Sequence, residues 1–157
     1  MRHAKSSWEN AEISDLERPL LEMGLKRTHL IIDYMQKKQC SIDMIISSHA
    51  VRAVETARLM AYAFNVDENR FSIEKQVYLS GESTLLDQLF DVPPQVHSVL
   101  VVAHNPSITN LANRYLKKKL DYLPTSGVVA LQFKTDAWEN VPLAPVSVKF
   151  SISPKEL

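Results

Sequence analysis

At 157 residues the chain has the size of one domain, spanning residues 1–157, and can bury a core without cross-links. Its 18 basic and 18 acidic residues give a formal net charge of zero, so no global field recruits nucleic acid or an anionic membrane, and any anion site must be local. The single cysteine, Cys40, excludes an internal disulfide framework and a Cys-based zinc site. No apolar run approaches the roughly 20 residues that span a bilayer, and the start lacks a signal-peptide pattern, so a soluble, cytoplasmic protein is expected.

Arg2 and His3 follow Met1 directly. They set a fixed cation beside a nitrogen nucleophile, a pairing suited to a phosphoryl group with charge on several oxygens. Residues 8–17 are polar and read as a loop. Leu21, Leu25, Ile32 and Met35 then recur at helical spacing, which predicts a helix over about 21–38 with that face in the core. Residues 42–46 form a short β-branched run, read as a buried strand that delivers Ser47 and Ser48 to its carboxyl end. Ala50, Ala53, Ala57, Ala61 and Phe64 line one face of a second helix, with Arg52 in its first turn. A cation there opposes the helix macrodipole, a conflict that disappears if Arg52 and nearby backbone N–H groups share one anion. The alternative is a surface arginine paired with Glu55 or Glu22.

Residues 71–78 alternate weakly and suit an edge strand. Ser80-Gly81 turns the chain into a short helix over 83–90 with Leu85, Leu86, Leu89 and Phe90 buried, ended by Pro93-Pro94. The aliphatic run 99–103 is the clearest strand, of the kind covered on both faces. His104 comes directly off it, and Pro106 suits the first position of a helix reaching about Leu116. Residues 128–133 and 145–152 suit a hairpin, with 136–140 in its turn. Alternating strands and helices predict an α/β fold, a three-layer α/β/α arrangement around a mainly parallel sheet.

Three stretches answer one another: Arg2-His3, Ser48-His49-Ala50-Val51-Arg52, and Val101-Val102-Ala103-His104-Asn105-Pro106-Ser107. Together they resemble the histidine phosphatase superfamily, the phosphoglycerate-mutase-like enzymes, and within it the small SixA-type phosphohistidine phosphatases. Asp15-x-x-Arg18-Pro19-Leu20-x-x-x-Gly24 resembles a further signature of that family. The resemblance implies His3 as nucleophile, Arg2 and Arg52 as phosphate clamps, His104 completing the catalytic pocket, and Ser6 as a possible substrate-binding hydroxyl. It also implies a hydrophobic first strand ahead of Arg2-His3, so the first strand reads as truncated. Ala4 replaces the family's glycine, which is tolerable at a negative φ. His49 stands where many relatives have proline and is expected to be exposed and inert.

Such a set needs no metal and no cofactor, because two guanidinium groups supply the charge stabilisation. His3, His29, His49, His97 and His104 are not spaced as local ligand pairs, and arginines rather than carboxylates accompany His3 and His104. The resemblance implies a phosphorylated protein as partner, specifically phosphohistidine on a signalling or phosphotransfer domain. A small phosphorylated substrate is the alternative, and a module that binds phosphate or phosphoprotein without turnover is the non-enzymatic one. No nucleic acid or membrane partner is expected, and the sequence does not set the oligomeric state. Glu82 is the only carboxylate in the segment that supplies a general acid in the family's mutases. It reads instead as a helix N-terminal residue favoured by the macrodipole.

Overall fold

The computed structural model describes residues 1–8 and 12–157. The expected loop over 8–17 therefore lies partly outside the described residues, and its last part is a single 3-10 turn, Asp15–Glu17. The elements that follow are α1 (Glu22–Lys37), β1 (Met44–Ser48), α2 (Val51–Phe64), β2 (Phe71–Glu74), α3 (Glu82–Asp87), β3 (Val99–Val102), α4 (Ser107–Tyr115), β4 (Val128–Phe133) and β5 (Val146–Ile152).

β1 lies between β2 and β3, parallel to both, and β2 is the edge strand. β4 and β5 form an antiparallel hairpin whose register slips between Ala130 and Leu131. Residues 1–3 join the two sheets. On one side the Met1 amine donates to Val101 O, Ala103 N to Met1 O and His3 N to Ala103 O. On the other, Arg2 N donates to Gly127 O and Ser126 N to His3 O. Residues 1–3 thus run between the end of β3 and the turn that leads into β4.

The period-2 alternation of the strands divides the core into two layers. Ile45, Leu100 and Val102 face Ile31, Ile32 and Met35 of α1 and Ala53, Ala57 and Met60 of α2. Ile46 and Ala103 face Leu85 and Leu86 of α3 and Ile108 of α4 on the opposite side. Full burial of each large aliphatic side chain stabilises the fold by about 1.5–3 kcal/mol. The expected α/β/α layering around a mainly parallel sheet is the observed one.

Two hydrophobic assignments differ. The buried face of α1 is Gly24, Thr28, Ile31, Ile32 and Met35, and Leu25 is exposed. The reason is a close approach: a Cβ on Gly24 would stand 2.3 Å from Lys5 O, so the helix lies against the backbone just beyond His3. Thr28 fits the same seam by donating its hydroxyl to Gly24 O or Ser126 Oγ, at 2.9 and 3.0 Å. Phe90 is also exposed rather than buried, because α3 ends at Asp87 and leaves it beyond the last turn that faces the core. Pro106 caps α4 instead of starting it.

Candidate active site

The carboxyl ends of β1 and β3 and the end of the N-terminal stub meet at one place, where an open α/β sheet offers its ligand crevice. His3, Arg52 and His104 converge there, buried at 7%, 4% and 5% exposure. The rings of His3 and His104 are 4.9 Å apart. Ser48, at the end of β1, reaches His104 Nε2 at 2.8 Å.

The hydrogen bonds fix the tautomer of His3. Its Nδ1 lies 2.7 Å from Ala4 O, and a carbonyl can only accept, so Nδ1 carries the proton and Nε2 keeps its lone pair. Arg52 Nε–H points at that lone pair from 3.3 Å. Burial first, then the charges of His104, Arg52 and Arg2, lower the His3 pKa to about 3, so the imidazole is neutral at physiological pH. The same logic applies to His104. Its Nδ1 accepts from Arg52 Nη2 at 3.3 Å, which leaves Nε2–H to donate to Ser48 Oγ. Burial, then Arg52, lower its pKa to about 4.

Thr56 ties the segment after His3 to the helix that carries Arg52. Its hydroxyl accepts from Ala4 N at 2.9 Å and donates to Arg52 O at 2.6 Å. Ala4 is fully buried and its φ is not among the positive ones, so the missing glycine leaves no strain. Arg2 is anchored on the other flank by donating Nη1–H to Leu123 O at 3.0 Å, the carbonyl that also accepts from Asn105 Nδ2 at 3.1 Å. Ser6 is buried, bridges Leu20, and lines a groove together with Arg2 and His3.

Arg52 pairs with neither Glu55 nor Glu22. Glu55 accepts from Leu20 N at 2.9 Å, and Glu22 pairs with Lys26 at 2.7 Å. The partner is Asp15, whose Oδ2 lies 2.8 Å from Arg52 Nη2 and whose backbone oxygen accepts from Nη1. Asp15 also takes Arg18 at 2.8 Å and the Tyr78 hydroxyl at 2.6 Å. Burial alone would raise the Asp15 pKa, but the hydrogen bonds from Tyr78 and Arg52 and the charges of Arg52 and Arg18 bring it down to about 2. The Tyr78 ring stands edge-on to His104 and to His49, each at 5.3 Å. His49 is therefore half-buried in the wall of the site rather than exposed.

The family model of the histidine phosphatase superfamily, branch 1, matches residues 1–72. The putative phosphohistidine phosphatase SixA from Agrobacterium tumefaciens superposes with a TM-score of 0.80 at 24% identity, covering 98% of this chain and 95% of that one. The chain shares the fold of that solved structure. A protein histidine phosphatase SixA complexed with tungstate gives a TM-score of 0.77 at 20% identity, over 99% of this chain and 96% of that one. An uncharacterized protein of Mycobacterium tuberculosis is 26% identical over 142 residues, 84% of this chain and 86% of its own length.

Within this fold a hollow of about 620 Å³ opens at the opposite end of β1, near Cys40, Asp43 and Asn65, away from the paired histidines. Glu82 starts α3 and faces Arg114 of α4 at 3.6 Å, as its helix-end reading expects. Among the described residues no cluster of three or more His, Cys, Asp or Glu side chains is placed to hold a metal ion. No described helix is long and apolar enough to cross a membrane. Asp15, Tyr78, Ser48 and Thr56 are the site residues to which sequence reasoning gave no role. Only Asp15, inside the quoted signature, and Ser48, at a strand end, carried any signal.

Proposed function

We propose that the protein is a phosphatase working through a phosphoryl group on His3, with phosphohistidine of a signalling or phosphotransfer protein as substrate. The observation that carries this reading is a neutral His3 whose Nδ1 proton is tied to Ala4 O while Nε2 keeps its lone pair beside the Arg52 guanidinium. In the first step Nε2 forms a bond to phosphorus as the bond to the leaving imidazole breaks, and that imidazole nitrogen takes a proton from water. In the second, a water oxygen bonds to phosphorus, the Nε2–P bond breaks, and the water proton is released.

Arg2 and Arg52 would bind the non-bridging oxygens, the latter by turning donors now directed at the histidines. An anion in their midst would raise the pKa of His104, making it a stronger donor as charge develops. Ser6 would add a hydroxyl at the groove side. The likeness to SixA-type structures supports phosphohistidine as the class of substrate by fold alone.

The test is mass spectrometry of the protein after brief exposure to a phosphohistidine peptide. A phosphoryl adduct on His3, stable to base and labile to acid, is expected, with His3→Ala losing turnover by on the order of 10⁴-fold or more. Label on Ser6, or full turnover by His3→Ala, would refute the assignment. Label supplied only by small phosphate esters would point to a phosphomonoesterase, and binding without label to a phosphate-binding module.

A further inference from the structure

A groove of about 310 Å³ is lined by His3 and Arg2, and it is unusual in charge. Arg2, Lys5, Arg18, Arg27 and Lys155 all line it, and among the described residues no carboxylate does. The chain as a whole is neutral, so this is a local accumulation of cations. Two described carboxylates, Glu156 and Asp15, are engaged elsewhere. Glu156, next to Lys155, turns back to accept from Ser153 N and Ser153 Oγ at 2.8 and 2.6 Å. Asp15 compensates Arg18 but is shared with Arg52 and Tyr78. Among the described residues, Arg2, Lys5, Arg27 and Lys155 enter no ion pair.

Two buried donors in the groove's residues are also unsatisfied: Nε of Arg2 and Nε of Arg18, the latter on a side chain only 9% exposed. Buried N–H groups of this kind ordinarily have partners, and an anion in the groove could supply them. The rim adds a third feature. Trp8 is 78% exposed, carries the Arg18 guanidinium 3.5 Å over its ring, and faces solvent as does Tyr122 at 57%. A small metabolite is usually enclosed by its pocket. Exposed Trp, Tyr and Arg around a cationic trough is instead the composition of a protein-binding hot spot.

We propose that this groove receives acidic side chains flanking the phosphorylated histidine of a partner protein, with Arg27 and Lys155 selecting them. The proposal rests on the reading of His3 as a phosphohistidine hydrolase and names what distinguishes one such substrate from another. Arg27 comes from α1 and Lys155 from the C-terminal turn Pro154–Glu156, so neither belongs to the elements that present His3, Arg52 or His104.

The experiment compares two phosphohistidine peptides identical except that Asp and Glu beside the phosphohistidine in one are Asn and Gln in the other. The wild-type protein should favour the acidic peptide in kcat/KM by roughly five- to tenfold, expressed in KM, and the preference should shrink as salt rises. In Arg27→Gln/Lys155→Gln the ratio between the peptides should fall close to one. Equal rates on both peptides in the wild type, or a preference that survives in the double variant, overturns the groove assignment and leaves the phosphohistidine reading standing. Failure to cleave either peptide while an aryl phosphate is turned over removes both. A preference for a sugar bisphosphate over its monophosphate, lost in the double variant with no peptide preference, reassigns the groove to small molecules.

Discussion

The two flanks of His3 are built in opposite ways. On the Arg52 side the guanidinium donates to His3 Nε2, to His104 Nδ1 and to Asp15, and Asp15 is itself gripped by Tyr78 and Arg18. On the Arg2 side four cations lack ion-pair partners among the described residues and the buried Nε–H of Arg2 lacks an acceptor. A network satisfied from within holds reacting groups in place, and an unsatisfied one waits for an outside charge. The closed flank is thus suited to the chemistry common to all substrates, and the open flank to telling them apart.

The largest effect expected from breaking the closed flank is at Arg52. Arg52→Lys keeps one positive charge but replaces a planar fork with a point charge that cannot address His3, His104 and Asp15 together. Turnover of any phosphoryl substrate, including a small aryl phosphate, should fall on the order of 10²–10³-fold, by comparison with removal of one preorganised oxyanion donor. Steady-state kinetics on an aryl phosphate decide this. A loss confined to protein substrates would put Arg52 on the selecting flank instead.

Acid should find the same flank. His3 and His104 titrate at about 3 and about 4 in the folded protein, against about 6.5 when unfolded. Below pH 6.5 the unfolded chain therefore takes up protons that the folded site refuses. Stability is full above that pH and declines as pH falls toward 4 and then 3, after which these two groups add no further loss. The slope is at most about 1.4 kcal/mol per pH unit for each histidine. Urea unfolding across this range should have a shallower pH dependence in His104→Gln than in the wild type, and identical profiles would show that His104 is not held neutral. Asp15 acts lower, since its depressed pKa confers stability that is lost only as pH falls from about 3.8 to about 2.

A smaller change is expected at Asp15 itself. Its side chain is 42% exposed, so solvent screens the pair with Arg52. Asp15→Asn keeps the backbone carbonyl that accepts from Arg52 but loses the charge, and kcat/KM on an aryl phosphate should drop roughly tenfold. Arg52→Lys and Asp15→Asn combined should cost less than the sum of the two, because they disturb one unit. Faster turnover in Asp15→Asn would mean that the carboxylate competes with phosphoryl oxygens for Arg52.

The contrast between the flanks also separates what the sequence makes legible from what it does not. Arg2, His3, Arg52 and His104 can be picked out because the three short motifs that carry them resemble those of one family, and the structure brings His3, Arg52 and His104 together with Arg2 beside His3 in the groove. The partners that hold them come from afar. Tyr78 reaches Asp15 across 63 residues from a 3-10 turn beyond β2, and Thr56 reads only as one more residue of an alanine-rich helix face. Hydropathy misplaces the buried face of α1 for a related reason. Gly24 and Thr28 are buried because a backbone strand passes close by, a tertiary fact with no apolar signature. The cationic groove escapes notice because its cations come from four separate places and the neutral total conceals them.

The smallest effect is expected at Glu82, and its smallness carries information about the substrate. An alkoxide leaves badly, its conjugate acid having a pKa near that of water at roughly 15.7, so an alkyl phosphatase gains from a positioned general acid. Imidazole, with a reference pKa near 6.5, leaves readily once protonated and needs no such group. Glu82 is the one carboxylate at the start of α3, and it is turned toward Arg114 in a half-exposed pair 3.6 Å apart. Pairs of that kind are worth about 0.2–1 kcal/mol. Glu82→Gln should accordingly change the rate on phosphohistidine or aryl phosphates less than about twofold, since a group engaged with Arg114 contributes little to a leaving group that needs no acid. Alkyl phosphates should be poor substrates for wild type and variant alike. Rates measured over leaving groups of graded pKa decide the matter: efficient alkyl ester cleavage that collapses in Glu82→Gln would make Glu82 the general acid of a phosphomonoesterase, and the open flank would then have to select among small molecules.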